Sequence, residues 1–122
     1  MDAEGNVKII EIGSRMGGDC IGSDLVKIST GYDFVQMVIE TALGKEPSFE
    51  PVREPKYAVI RFIFTKKDLE VLQKIQKEKS EILYFVSEIE PVGEHEVVDS
   101  STRFGYFIAA CDTRAEAEEI LE

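Results

Sequence analysis

Residues 57–68 read YAVIRFIFTKKD, that is Tyr57-Ala58-Val59-Ile60-Arg61-Phe62-Ile63-Phe64 running directly into Thr65-Lys66-Lys67-Asp68. The first eight are nearly all β-branched or aromatic, the composition of a central strand with one polar position at Arg61. Thr65 and Asp68 have the spacing of a capping box, in which hydroxyl and carboxylate each satisfy an orphan N–H of a helix start. The helix should run to about Lys79, with Leu69, Leu72, Ile75 and Gln76 near one face and the lysines elsewhere. Downstream, Ile82–Ile89 reads as a second strand. Pro91-Val92-Gly93 reads as a turn, Glu96–Val98 as a short strand and Phe104–Ala110 as a longer one. Thr113 and Glu116 repeat the capping signature before a last helix that ends around Leu121. The order strand, helix, strand, strand, strand, helix predicts an α+β fold, a mainly antiparallel sheet with helices packed on one face.

The 122 residues are 43% apolar, enough for a buried core in one domain of ordinary size. The formal net charge of −10, from 14 basic and 24 acidic residues, repels phosphate backbones, so nucleic acid is not an expected partner. Five lysines fall between residues 66 and 79, and eleven carboxylates between 81 and 122; both runs read as solvated faces. No run of about 20 apolar residues is present, so no membrane span is expected. The opening Met1-Asp2-Ala3-Glu4-Gly5 lacks the basic start and apolar stretch of a secretory signal. Cys20 and Cys111 lack CxxC spacing, and His95 alone does not complete a zinc set with them. The reading is a reduced, cytoplasmic protein.

Upstream, residues 45–56 (KEPSFEPVREPK) hold three prolines and no periodicity, as in an extended connector. The chain thus divides into 1–46, a connector at 47–56, and the α+β unit 57–122. Within the first part, Phe34, Val35, Val38, Ile39 and Ala42 form a helical stripe expected to pack in the core, with Asp33 to cap it and Gly44 then Pro47 to stop it. Val7-Lys8-Ile9-Ile10-Glu11-Ile12 is short and β-branched and reads as a buried strand stopped by Gly13. Residues 13–23 (GSRMGGDCIGS) contain four glycines, too many for a helix, and suggest a backbone shaped for close approach to something.

Chemistry concentrates in Glu11-Ile12-Gly13-Ser14-Arg15-Met16-Gly17-Gly18-Asp19. A carboxylate at a strand end can bind Mg²⁺, an arginine fork suits phosphate or carboxylate, and adjacent glycines can turn N–H groups toward an anion. A carboxylate about 4 Å from a phosphate charge is repelled by about 4 kcal/mol at an effective dielectric near 20, so Glu11 needs a cation between. The plainer reading is a salt bridge between Glu11 and Arg15 across a glycine turn.

The stretch VKIIEIGSRMGGDCIGSDLVKISTGYDFVQMVIETALG resembles the C-terminal end of the ATP-grasp fold of carbamoyl-phosphate synthase-like and amino-acid ligase-like proteins. YAVIRFIF and SSTRFGYFIAACDTRAEAEEILE resemble the small subdomain that closes such ligases. The resemblance implies ATP- and Mg²⁺-dependent joining of a carboxylate to an amine through an acyl phosphate. It assigns Glu11 as a Mg²⁺ ligand on the ATP phosphates and Arg15 as the holder of the transferred phosphoryl group or the substrate carboxylate. Gly17 and Gly18 would offer N–H donors to the intermediate, and Asp19 would contact the amine. Gly13 stands where many such ligases carry a metal-ligating asparagine. The adenine pocket, phosphate-binding lysines and a further metal carboxylate of a complete ATP-grasp enzyme have no counterpart before Val7. The expectation is therefore a fragment, inactive alone, whose partner is the remainder of the ligase.

A second reading is a stand-alone regulatory module that holds a small ligand in the glycine loop without ATP. An open sheet edge also leaves pairing into a homodimer available. Ser100-Ser101-Thr102-Arg103 reads as a plain loop before a strand rather than an anion-holding turn, His95 as a surface histidine, and Cys20 as a buried thiol because no base adjoins it.

Overall fold

The computed structural model describes residues 3, 5–13 and 15–122. Three antiparallel strands, β1 (Tyr57–Ile63), β2 (Leu83–Val86) and β3 (Gly105–Cys111), form a sheet in the order β1-β3-β2. Tyr57 lies opposite Cys111 and Ile63 opposite Gly105, an unbroken register along β1 and β3, whereas the β2 register shifts between Leu83 and Phe85. The central strand, β3, is covered on both faces, which explains why FGYFIAA reads as a continuous apolar run rather than an alternation.

Helices α3 (Lys66–Glu78) and α4 (Arg114–Leu121) cover one face. Val59, Ile63, Phe107, Ala109 and Cys111 point into the core there with Leu72, Ile75, Ala117 and Ile120. Both helices begin with complete capping boxes, Thr65 with Asp68 and Thr113 with Glu116, at the positions the sequence marks. Arg61, the one polar position of its strand, bonds Asp68 and the backbone carbonyl of Ile120, tying β1 to the start of α3 and the end of α4.

The expectation that helices lie on one face is corrected. The opposite face is covered by a π-helical turn (Ile21–Leu25) that continues into α1 (Val26–Thr30). Ile28, fully buried, packs with Ile108 and Ala110 there, and Cys20, Leu25, Ala58, Ile60 and Tyr106 surround them. These helical turns form despite the glycines, because Gly22 supplies the space that Met16 occupies: a Cβ on Gly22 would fall 2.8 Å from Met16 Sδ. The proline-rich connector follows α1, with Val52 N–H donating to Gly31 O at 2.8 Å and Lys56 N–H to Ile28 O at 2.8 Å.

Two further expectations change. Helix α2 (Phe34–Ala42) forms with Asp33 as its cap, but none of its residues is buried; Phe34, Val38, Ile39 and Ala42 are exposed, so the stripe expected in the core lies on the surface. Val7–Ile12 is not a buried strand: it pairs with no strand among the described residues, and Val7, Ile9, Ile10 and Ile12 are 82, 77, 99 and 83% exposed. A β-branched run needs a neighbouring strand to satisfy its N–H and C=O groups, and the three-stranded sheet supplies none to it. Glu96–Val98 likewise forms no strand, because Thr102 Oγ1 accepts from Val98 N–H at 2.8 Å and Asp99 N–H at 3.1 Å and closes a turn instead. Among the described residues no helix is long and apolar enough to cross a membrane.

Candidate functional site

The candidate residues occupy two environments, an exposed arm and a loop anchored on the sheet. Glu11 sits on the arm, in solvent, beside the exposed Ile10 and Ile12. Arg15 is also exposed, and its Nη1 donates to Met16 O at 2.9 Å. No ion pair joins Glu11 to Arg15 among the described residues, so the plain salt bridge across the glycine turn does not form. Ser14 lies outside the described residues.

Gly17 and Gly18 open the anchored loop. A Cβ on Gly17 would press on the Ile21 side chain at 3.2 to 3.4 Å, whereas one on Gly18 would meet nothing within 4 Å, so Gly18 faces open space. Gly18 O accepts from Ile21 N–H at 3.0 Å, and neither glycine N–H donates to a described residue. The next two residues, Asp19 and Cys20, take left-handed backbone conformations with φ of 50° and 60°, uncommon away from glycine. The chain then turns into the helical segment with Cys20 O accepting from Asp24 and Leu25 N–H at 2.9 and 3.0 Å.

Two long-range contacts hold this loop. Arg103 Nη2 donates to Asp19 Oδ1 at 2.6 Å. The same guanidinium lies 4.3 Å from the centroid of Phe62 and 5.6 Å from that of Tyr106, rings carried opposite each other on β1 and β3. Cys20 Sγ and Tyr106 Oη are hydrogen-bonded at 3.4 Å; this bond, with burial, pushes the Tyr106 phenol above its ordinary range. Cys20 is a free thiol, half-buried rather than buried as expected, and its side-chain partner is the Tyr106 hydroxyl. Asp19 is thus already engaged by a cation of this chain.

Sequence reasoning missed Arg103, because its partner lies 84 positions away and no local pattern couples them. The signal present in the sequence was an arginine just ahead of an aromatic-rich strand, in a stretch read as a loop. The rest of that turn is self-satisfied: Asp99 Oδ1 accepts from Ser101 N–H at 2.8 Å and Ser101 Oγ at 2.7 Å, bonds that hold its carboxyl below the usual carboxylate range. His95 is exposed, with Nε2 2.9 Å from Thr102 O and its ring 4.6 Å from that of Phe104.

Glu11 offers one carboxylate to a metal, and among the described residues no group of three His, Cys, Asp or Glu side chains gathers. One carboxylate fits Mg²⁺ held mainly by nucleotide phosphates and water, the usual habit of that ion. Comparison with protein-family models, with curated proteins and with solved structures finds no match.

Proposed function

We propose that this chain is the C-terminal part of an ATP- and Mg²⁺-dependent carboxylate–amine ligase, contributing part of the metal and phosphate site and inactive by itself. The observation that carries the reading is the exposure of Glu11, Gly13, Arg15, Gly17, Gly18 and Asp19 together with the apolar arm that leads into them. Four β-branched residues of the arm stand in solvent, and the apolar stripe of α2 is exposed as well. Patches of this kind mark surfaces that another protein surface covers. In the proposed enzyme that surface belongs to the remainder of the ATP-grasp portion, which takes Val7–Ile12 as a strand and brings the adenine pocket to the cleft.

Each residue then has a task set by its chemistry. Glu11 holds Mg²⁺ against the phosphates and removes the repulsion that a bare carboxylate would meet. Arg15, with no acidic partner among the described residues, is free to engage the transferred phosphoryl group or the substrate carboxylate. Gly17 and Gly18 offer N–H donors to the oxygens of the acyl phosphate. Asp19 contributes through its pairing with Arg103 rather than by meeting the amine directly. The catalysis so described is charge neutralisation and positioning. The substrates are a small carboxylate and an amine, and the enzyme works in the cytoplasm.

The test is ADP release from the purified chain with ATP, Mg²⁺ and candidate amino acids. No release is expected from the chain alone, and release in even a single turnover contradicts the assignment of half a site. An amino acid that raises the melting temperature without ATP points instead to a regulatory module.

A further inference from the structure

We propose that Arg103 is the positioning residue of the glycine loop. Its guanidinium fixes Asp19, and through Asp19 the backbone direction of Gly17 and Gly18. Three observations and one property of the guanidinium group carry this. The Asp19–Arg103 contact at 2.6 Å is the shortest ion pair among the described residues. Arg103 is held against the sheet, its Cζ 4.3 Å from the ring centroid of Phe62 and 5.6 Å from that of Tyr106. A guanidinium can stack on a ring and bond a carboxylate in its own plane at once, which an ammonium cannot do. Asp19 and Cys20 both hold positive φ, a conformation that short side chains keep only when their surroundings fix them. With Asp19 clamped to Arg103 and Cys20 to Tyr106, the two residues following the glycines are pinned to one sheet face, and the open side of Gly18 is left toward solvent.

The ligase reading enters only in what the loop then holds, the oxygens of a phosphoryl group. The hold itself is a property of this chain and is tested without turnover.

The experiment is amide hydrogen exchange, with backbone amide chemical shifts, on the full 122-residue chain and its Arg103→Gln, Asp19→Asn and double variants. Exchange at Ile21, whose N–H donates to Gly18 O, and at Asp24 and Leu25, whose N–H groups donate to Cys20 O, should rise about two- to fivefold in Asp19→Asn, which loses the ion pair, and about five- to tenfold in Arg103→Gln, which loses the ring contact as well. The double variant should add little to Arg103→Gln, because the Asp19–Arg103 link is already broken there. Ile108 and Ala109 in the central strand should not change, and Arg103→Lys should recover only part of the protection. Unchanged exchange at Ile21, Asp24 and Leu25 overturns the proposal, as does a rise that the sheet shares equally. Titration with inorganic phosphate, followed by the chemical shifts of the Gly17 and Gly18 amides, separates the readings. Wild-type shifts that weaken in the variants support both, and a loop that loosens without any phosphate response supports the role of Arg103 while removing the ligase assignment of the loop.

Discussion

Arg61 Nε and Nη2 both donate to Asp68 Oδ1, at 3.1 and 2.9 Å, joining the middle of β1 to the first turn of α3. The two side chains are 11 and 14% exposed, so this pair is mostly withdrawn from water. Asp68 also accepts from Phe64 N–H, Thr65 N–H and Thr65 Oγ1 through its other oxygen. Replacing Asp68 by Asn removes the charge that balances Arg61 and weakens the cap, so stability should fall by about 2 kcal/mol in urea denaturation. A loss below about 0.5 kcal/mol, the level of an ordinary surface substitution, contradicts the role.

The same carboxylate sets an acid limit. Burial pushes the Asp68 carboxyl up, but hydrogen bonds from the Thr65 hydroxyl, Arg61 and the backbone N–H groups of Phe64 and Thr65 outweigh it and hold the group below its ordinary range. A depressed value in the folded state means the contribution is complete above about pH 4, where the unfolded carboxyl ionises, and is lost as pH falls through the folded value. Asp33, lowered by its hydrogen bond from Lys27 and by Gln36 N–H, adds a second contribution of the same sign. Stability measured from pH 6 to pH 2 should therefore drop below about pH 4, and less steeply in Asp68→Asn. An equal slope in wild type and variant rules out Asp68 as a source of the limit.

What the sequence disclosed and what it hid divide by range. Capping boxes at Thr65 and Thr113, the cap at Asp33 and the strand 57–63 are local, and reading a few neighbouring residues was enough. The covering of the second sheet face by Ile28, the partner of Arg61 at Ile120 and the clasp of Asp19 by Arg103 depend on contacts between distant residues. Val7–Ile12 has the composition of a strand yet no partner among the described residues, since composition states a preference and not the presence of a neighbour. The glycine loop drew notice for its unusual density of glycine, but the packing of Met16 over Gly22, which lets a helical turn follow, could not be read from spacing.

The exposed arm gives a contrasting prediction. Ile10 is 99% exposed, so Ile10→Ser should change the stability of the chain by less than about 0.5 kcal/mol. Association with the remainder of the proposed ligase should weaken clearly, as read by co-purification of the two parts. A loss above about 1 kcal/mol in the isolated chain would show that Ile10 packs internally after all.

Gly31 ends α1 with φ of +83°, and a Cβ there would collide with Arg53 O. Gly31→Ala should cost about 2 kcal/mol, because left-handed backbone and a backbone clash act together. Gly18→Ala, with open space at that position, should cost under about 0.5 kcal/mol in the same thermal or urea experiment. Equal costs at the two sites contradict the placement of the connector against α1.

The most direct measurement is kcat for ADP formation by the full-length ligase proposed to contain this chain, with and without Glu11→Gln. Glu11 is exposed in the chain itself, so folding should be unaffected, and any loss reports on the site. The expected result is a fall of about 100-fold or more that raising Mg²⁺ does not repair, since a neutral amide is a poor ligand for that ion. Turnover within about twofold of wild type would remove Glu11 from the metal site and with it the claim that this segment faces ATP.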